Sequence, residues 1–246
     1  MTTPVTAPGK AAPARTKAAL PRVKTNPAPS KAASAPTKSA LTFPVYWDDA
    51  KRELMKCDRV LRRIIPKFDG VSLTSRGDPF ATLARSITGQ QISVQAAQAV
   101  WERVVAAFPD FTPVKLARAK VDQLRSCGLS QRKAEYILDL AAHFKRGGVE
   151  TADWHRLDDD AVVAALTCIR GIGRWTAEMF LMFNLMRPDI FPVDDLGLRK
   201  AVSQHYFSGE SVTLSELREV GANWAPWRSV GTWYMWRSLD PLPVEY

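Results

Sequence analysis

Apolar residues recur at helical spacing along almost the whole chain after residue 44, and this periodicity constrains the fold more than any other feature. No stretch alternates apolar and polar residues as a well-formed strand does, and only Val71 to Leu73 indicates a minor strand or turn. The sequence therefore predicts an all-α fold. The predicted helices cover residues 46–65, 80–87, 93–108, 113–118, 121–127, 130–144, 158–167, 174–185, 196–206, 213–223 and 226–238.

Residues 1–40 differ in composition from the rest of the chain. They hold seven of the 34 basic side chains, no acid, seven prolines and eleven alanines. Such a segment buries too little apolar surface to offset its chain entropy, so we predict a disordered basic tail. Without the tail, 27 basic and 25 acidic side chains remain, so residues 41–246 carry a net charge of +2 against +9 for the whole chain. The 206 residues from 41 to 246 suit one large domain or two lobes around a shared groove.

Composition also excludes or disfavours several classes of protein. No apolar run is long enough to span a bilayer, which excludes a membrane protein, and the N-terminus lacks the apolar region of a secretory signal. A basic, acid-free N-terminus is also typical of transit peptides, but its prolines argue against an amphipathic helix. The three dispersed cysteines predict reduced thiols in a cytosolic protein and exclude a four-cysteine iron–sulfur cluster. The three histidines lack ligand spacing, so we predict no zinc or catalytic transition metal.

The most informative segment has two glycines, Gly171 and Gly173, between two helical patterns. This spacing suits a tight hairpin whose backbone closely approaches another molecule. The second helix begins directly after the glycines, and its free N–H groups could hold a phosphate without a basic side chain. A plain helix–turn–helix corner with a glycine C-cap is the alternative that the glycines alone leave open.

Two adjacent carboxylates, Asp194 and Asp195, stand immediately before an apolar helix. We predict that Asp194 is the N-cap and that Asp195 lies in the first turn, where the helix dipole keeps a carboxylate ionised. Near a wall of aromatic rings, such a carboxylate can stabilise a developing cation. Five aromatic residues follow near the C-terminus; core packing is favoured for most of them, and one or two could line a slot for a heteroaromatic ring. They are Trp224, Trp227, Trp233, Tyr234 and Trp236.

A third segment places Gly89, Gln90 and Gln91 before a helix that Ser93 is predicted to cap. It is either a solvated turn or a polar loop that enters a nucleic-acid groove, since amide side chains hydrogen-bond base edges.

Together these segments resemble the helix-hairpin-helix DNA glycosylase superfamily, and within it the alkylation-repair branch, DNA-3-methyladenine glycosylase II. The resemblance runs from about Tyr46 to Ser238. Its most specific element is Ile-Arg-Gly-Ile-Gly-Arg-Trp-Thr-Ala-Glu-Met over residues 169–179, followed by Phe-Pro-Val-Asp-Asp over 191–195. A second signature is Ile-Thr-Gly-Gln-Gln-Ile-Ser over 87–93, with weaker support from residues 128–134 and 225–229. The implied fold is a two-lobed helical bundle with a cleft between the lobes.

The resemblance implies a role for individual residues. Asp195 aligns with the family's catalytic aspartate, and Gln91 with a side chain that fills the gap left by the extruded nucleotide. The base pocket would include Trp175, Met179 and Trp236; Met179 replaces a pocket tyrosine of another member. The implied DNA contacts are Gln90, Gln91, Ser93, Gly171, Gly173, Arg174, Thr176, Arg199 and Lys200. The hairpin carbonyls that could bind a monovalent cation are those of Thr167, Ile169 and Ile172.

The resemblance also implies a reaction. Members that cut the DNA strand carry a lysine where this chain has Trp175, and an indole cannot form a Schiff base. We therefore expect a monofunctional hydrolase of alkylated bases in double-stranded DNA, with no cofactor, acting as a cytoplasmic monomer that is nucleoid-associated if bacterial. The extra N-terminal β domain of some members is absent from residues 1–40. A glycosylase for another lesion and a noncatalytic hairpin module that binds DNA remain the alternatives.

Overall fold

The structure is a computed structural model that describes residues 44–75, 77–147 and 154–239. Every α-helix predicted from the sequence has a counterpart in these ranges, and no strand occurs in them, so the all-α prediction is confirmed. None of their helices has the length and apolar character needed to cross a membrane. The tail predicted over residues 1–40 lies outside the described residues. The α-helices are α1 (Trp47–Cys57), α2 (Leu61–Ile64), α3 (Pro79–Gly89), α4 (Val94–Ala107), α5 (Pro113–Leu116), α6 (Val121–Ser126), α7 (Gln131–Lys145), α8 (Asp159–Thr167), α9 (Arg174–Phe183), α10 (Leu196–Tyr206), α11 (Leu214–Ala222) and α12 (Arg228–Leu239).

The prediction of a single helix over residues 46–65 is wrong, because the helix is interrupted at Asp58 and forms α1 and α2. Asp58 has an extended backbone, and its Oδ1 accepts hydrogen bonds from the backbone N–H groups of Val60 (2.8 Å) and Leu61 (2.9 Å). Local apolar spacing hides this break, since leucine and isoleucine continue the stripe on both sides of it. The minor strand considered at residues 71–73 is also absent; that stretch has no regular structure.

The helices form two lobes, as the resemblance implies. The central lobe consists of α3 to α9, with α7 packed against α3, α5 and α6, and with α9 packed against α3 and α8. The terminal lobe joins the two ends of the described chain, since α1 and α2 pack against α12, which also contacts α10 and α11. A cleft between these lobes is therefore bounded by segments that are distant in sequence.

Aromatic rings fill the core of each lobe. In the central lobe, Phe80 contacts Phe111 and Phe144, and Trp154 stands edge-on to Phe180 with ring centroids 4.6 Å apart. In the terminal lobe, the four buried members of the C-terminal aromatic group are Trp224, Trp233, Tyr234 and Trp236. Core packing, the plainer interpretation of that group, is thus correct for four of its five members; Trp227 is half-buried.

Candidate active site and DNA-binding surface

The glycine hairpin connects α8 to α9. Gly171 has φ +85°, a left-handed conformation, and a Cβ at this position would overlap the Tyr136 ring. Gly173 has an ordinary φ of −95°, and nothing lies within 4 Å of a Cβ built on it. Neither glycine caps α8, whose C-cap is Cys168, so the alternative of a glycine C-cap does not hold. Gly171 is therefore required by the protein's own packing, whereas Gly173 leaves open space in front of the N-terminus of α9.

Asp195, and not Asp194, is the N-cap of α10, so this part of the sequence prediction is wrong. Its Oδ1 accepts a hydrogen bond from the backbone N–H of Leu198 at 2.6 Å. The Asp195 N–H in turn donates to the Pro192 carbonyl at 3.0 Å, and this turn places residue 195 directly before the first helical residue. Asp194 is exposed. Two adjacent acids look alike in sequence, and the preceding turn decides which of them caps the helix.

Two indole groups hold the Asp195 carboxylate. Trp236 Nε1–H donates to Oδ1 and Trp175 Nε1–H donates to Oδ2, both at 2.8 Å. Only 6% of the Asp195 surface is exposed. A buried carboxylate with three N–H donors has a fixed orientation, and a group held in that way needs little rearrangement during a reaction.

Glu178 is also a buried carboxylate, and it lies one turn after Trp175 on α9. Burial raises the pKa of Glu178, and the negative charges of Asp194 and Asp195 raise it further, whereas its ion pair with Arg174 (3.0 Å) opposes the rise in pKa. Arg174 also lies 4.0 Å from Asp160. Its guanidinium, which we expected to hold a DNA phosphate, is thus paired within the protein.

The loop after α3 uses its two amides differently. Gln90 Nε2 donates to the Gly171 carbonyl (2.9 Å) and to the Thr176 hydroxyl (3.3 Å), so this side chain ties the loop to the hairpin. Gln91 is exposed and has φ +58°, a conformation that costs a non-glycine residue free energy. Ser93 is the N-cap of α4, as predicted, with its hydroxyl accepting from the Ala96 N–H.

A cavity of about 810 Å³ lies where this loop, the hairpin and the start of α10 meet. It is therefore placed between the central and terminal lobes. Its lining residues are Gly89, Gln90, Gln91, Ile92, Tyr136, Gly171, Ile172, Gly173, Trp175, Thr176, Asp194, Asp195, Leu196 and Gly197. The structure thus brings the candidate catalytic aspartate, the hairpin and the Gln90–Gln91 loop around one space.

Two of the three aromatic or apolar residues assigned to the base pocket lie elsewhere. Met179 is 1% exposed and Trp236 is 5% exposed, and neither lines the cavity. Every residue of α9 from Thr176 to Phe183 is buried, so only the first turn of this helix reaches the cavity, and Met179 lies one turn too deep. Trp236 stacks on Phe183 behind Asp195, with ring centroids 6.1 Å apart. Trp175 does line the cavity.

Several expected DNA contacts also lie outside the cavity or are engaged within the protein. Arg199 donates to the Val212 carbonyl at 3.1 Å, Thr176 is buried beneath Gln90, and the exposed Lys200 does not line the cavity. Of the three carbonyls considered for a cation, that of Ile169 accepts from the Ile172 N–H at 3.1 Å. Among the described residues, no cluster of three or more histidine, cysteine or acidic side chains could hold a metal ion.

Tyr136 and Leu196 are among the cavity residues that the sequence prediction missed. Tyr136 packs against the hairpin, and Leu196 is 77% exposed beside Asp195. A signal for Tyr136 was present, because it comes two residues after the matching stretch 128–134. An apolar side chain exposed next to a buried acid has no local signature.

The fold, the hairpin and the buried aspartate together define a class of DNA repair protein, and comparison with known proteins agrees. Residues 84–226 match the family described as HhH-GPD superfamily base excision DNA repair protein, and the chain belongs to this family.

Two similar proteins of known name are DNA glycosylases. DNA-3-methyladenine glycosylase 1 of Schizosaccharomyces pombe is 31% identical over 65% of this chain and 72% of its own length. DNA-3-methyladenine glycosylase of Bacillus subtilis is 30% identical over 76% of this chain, and the match spans 66% of that protein.

Solved structures of glycosylases are also similar to this chain. The S. pombe 3-methyladenine DNA glycosylase in complex with abasic DNA superposes with a TM-score of 0.71 at 28% identity, covering 80% of this chain and 99% of that one. A Bacillus halodurans DNA-3-methyladenine glycosidase superposes with a TM-score of 0.70 at 32% identity, covering 84% and 96%.

Proposed function

We propose that this protein is a monofunctional DNA glycosylase that hydrolyses the N-glycosidic bond of alkylated bases, such as 3-methyladenine, in duplex DNA. The observation that carries the proposal is the Asp195 carboxylate, fixed by three N–H donors at a cavity that also touches the glycine hairpin. The named relatives support the substrate class.

Asp195 acts on the sugar. When the base departs, the deoxyribose develops the positive charge of an oxocarbenium ion, and a nearby carboxylate stabilises that charge. The same carboxylate orients the attacking water. Because both indoles donate to it, the carboxylate holds its position while the base leaves.

The target base must first leave the duplex, at a cost of a few kcal/mol that is smallest for a damaged or poorly paired base. The open face of Gly173 and the N–H groups at the start of α9 hold the DNA backbone. Gln91, exposed on its left-handed turn, enters the stack and fills the vacated space.

Trp175 favours alkylated purines and excludes strand cleavage. An N-alkylated purine carries a positive charge, and a cation against the face of an indole gains roughly 0.5–2 kcal/mol. No lysine is among the described residues around the cavity, so there is no amine in place to form a Schiff base with the sugar. The product is an intact strand with an abasic site.

The partner is double-stranded DNA, and the protein acts on it as a monomer in the cytoplasm. The three free thiols, at Cys57, Cys127 and Cys168, agree with a reducing compartment. Neither the reaction nor the fold calls for a cofactor.

Abasic-site formation tests the proposal. Incubation with a methylated duplex is expected to release bases and to leave strands that break only after alkali treatment. Asp195→Asn is expected to lower the single-turnover rate by about 10²–10³-fold while DNA affinity is retained, since the side-chain oxygen can still cap α10.

Asp58→Asn is the matched control for this test. Asp58 is also buried and also accepts from backbone N–H groups and an indole, but it does not line the cavity. The control is expected to lower thermal stability and to leave the rate per folded molecule unchanged. A wild-type protein that binds DNA without base release would be a noncatalytic hairpin module. A preference for uracil, mismatched thymine or an oxidised purine in a panel of single-lesion duplexes would reject the alkylated substrate class.

A further inference from the structure

Helix α7 contacts the glycine hairpin and the end of α3 that leads into the Gln90–Gln91 loop. Under the proposed function, the hairpin and this loop both face DNA. Tyr136 fills the space beside Gly171 of the hairpin. One turn earlier on the helix, Lys133 Nζ donates a hydrogen bond of 2.8 Å to the Thr88 carbonyl. Lys133 and Tyr136 are three positions apart, so they lie on the same side of α7.

The Thr88 carbonyl lies where α3 gives way to the loop. Carbonyls in the last turn of a helix have no partner within it, and a cation there also interacts favourably with the helix dipole. Lys133 is half-buried, and burial lowers its pKa. Because Lys133 is only partly exposed, water has restricted access to this contact, and the ammonium group holds the end of α3 from which Gln90 and Gln91 depart.

The loop is fixed a second time, two residues further on. The Gln90 amide is tied to the Gly171 carbonyl and to the Thr176 hydroxyl. Gln91 follows directly, and both Gln91 and Ile92 are exposed. The exposed part of the loop is thus short and is anchored immediately behind Gln91, as required of a side chain that must push into a base stack.

We propose that Lys133 is a positioning residue for Gln91, and that it acts on extrusion of the base and not on cleavage of the glycosidic bond. The proposal rests on the proposed function. Without Lys133, the end of α3 loses its charged donor, the loop yields when Gln91 meets the stack, and the extruded state is less populated. A lesion that is already unpaired needs little help from Gln91 and is therefore insensitive to Lys133.

The experiment compares single-turnover base release from two duplexes. One carries an N-alkylated purine opposite its normal partner, and the other carries the same lesion opposite a stable abasic-site analogue. Lys133→Met removes the donor and keeps most of the side-chain length, whereas Lys133→Arg restores a cationic donor. Lys145→Met, on the exposed last turn of the same helix, is the matched control.

Lys133→Met is expected to lose about 10-fold or more on the paired lesion and less than about 3-fold on the unpaired lesion. Lys133→Arg and Lys145→Met are expected to stay close to the wild type. In a double-mutant cycle, Lys133→Met is expected to cost little in a Gln91→Ala background, because the two residues act in one step. Thermal melts verify that each variant is folded, and Lys133→Gln replaces the methionine variant if that variant unfolds.

Equal losses on both duplexes, additive losses in the cycle, or no loss on the paired lesion would each overturn the positioning role while leaving the proposed function intact. A wild-type protein inactive on both duplexes would overturn both.

Discussion

At the residue scale, the part of the chain that the structure describes has two buried aspartates with similar surroundings, of which only one reaches the cavity. Asp58 accepts hydrogen bonds from two backbone N–H groups, the Tyr206 hydroxyl (2.7 Å) and the Trp224 indole (3.1 Å). Asp195 accepts from one backbone N–H and two indoles, and it alone lines the cavity. Fixed donors make a carboxylate rigid in both places, and contact with the cavity makes one of them available for chemistry.

The indole donors give a prediction at this scale. Trp236→Phe keeps a ring against Phe183 but removes the N–H that donates to Asp195. We expect base release to fall by about 10-fold, the effect of one lost hydrogen bond to a charged group, with DNA affinity unchanged. Single-turnover rates and a binding titration measure the two quantities.

Trp224→Phe is the control for that variant, since it removes an equivalent indole donor from Asp58. It is expected to lower the melting temperature and to leave the rate per folded molecule unchanged. Equal rates for Trp236→Phe and the wild type would mean that the Trp236 donor does not matter for catalysis.

At the element scale, substitutions at the two hairpin glycines are expected to have opposite effects on fold stability and DNA affinity. Gly171→Ala places a Cβ against Tyr136 in a left-handed conformation and is expected to destabilise the fold by about 1–3 kcal/mol. Gly173→Thr retains a good N-cap, and its Cβ meets no protein atom within 4 Å, so the free energy of unfolding is expected to change by less than about 1 kcal/mol while DNA affinity falls.

Denaturant unfolding and a DNA-binding titration distinguish these two effects. Wild-type affinity in Gly173→Thr would show that the open face of the hairpin does not approach DNA.

Helix α9 gives a prediction about pH. Because burial raises the pKa of Glu178, the folded chain holds more protons than the unfolded chain between the ordinary carboxyl pKa and the raised one. Stability therefore decreases as the pH rises through that window. Glu178→Gln lacks this loss, so its stability relative to the wild type is expected to increase from pH 4 to pH 7. Urea unfolding across this range tests the sign, and parallel profiles would contradict it.

At the scale of the whole molecule, charge is distributed unevenly along the sequence. Residues 1–40 hold seven of the basic side chains, and the rest of the chain has a net charge of only +2. Removing residues 1–40 is expected to weaken nonspecific DNA binding and to flatten its salt dependence, with a change in slope of up to about six for seven lost phosphate contacts.

The matched control keeps the full length of the tail and replaces its seven basic residues by glutamine. It should reproduce the effect of the deletion if charge is the cause. An unchanged salt slope in both variants would assign the tail no electrostatic role.

The site was partly predictable. The Gly171–Gly173 hairpin, the loop at Gln91 and the choice of Asp195 follow from short motifs and from a family resemblance. By contrast, the inward orientation of Gln90 and the burial of Met179 depend on which faces of α3 and α9 meet other helices, and residue types do not state this.

By itself, the sequence determined the helices, most of their ends and the glycine hairpin, because caps, turns and apolar spacing act over only a few residues. Tertiary structure alone decided that Trp236 lies behind Asp195 as a donor and that Lys133 meets the end of α3. These two contacts join residues 41 and 45 positions apart. Hydrogen bonds over such separations exist only after the lobes have packed, because packing and not local propensity brings the partners within reach.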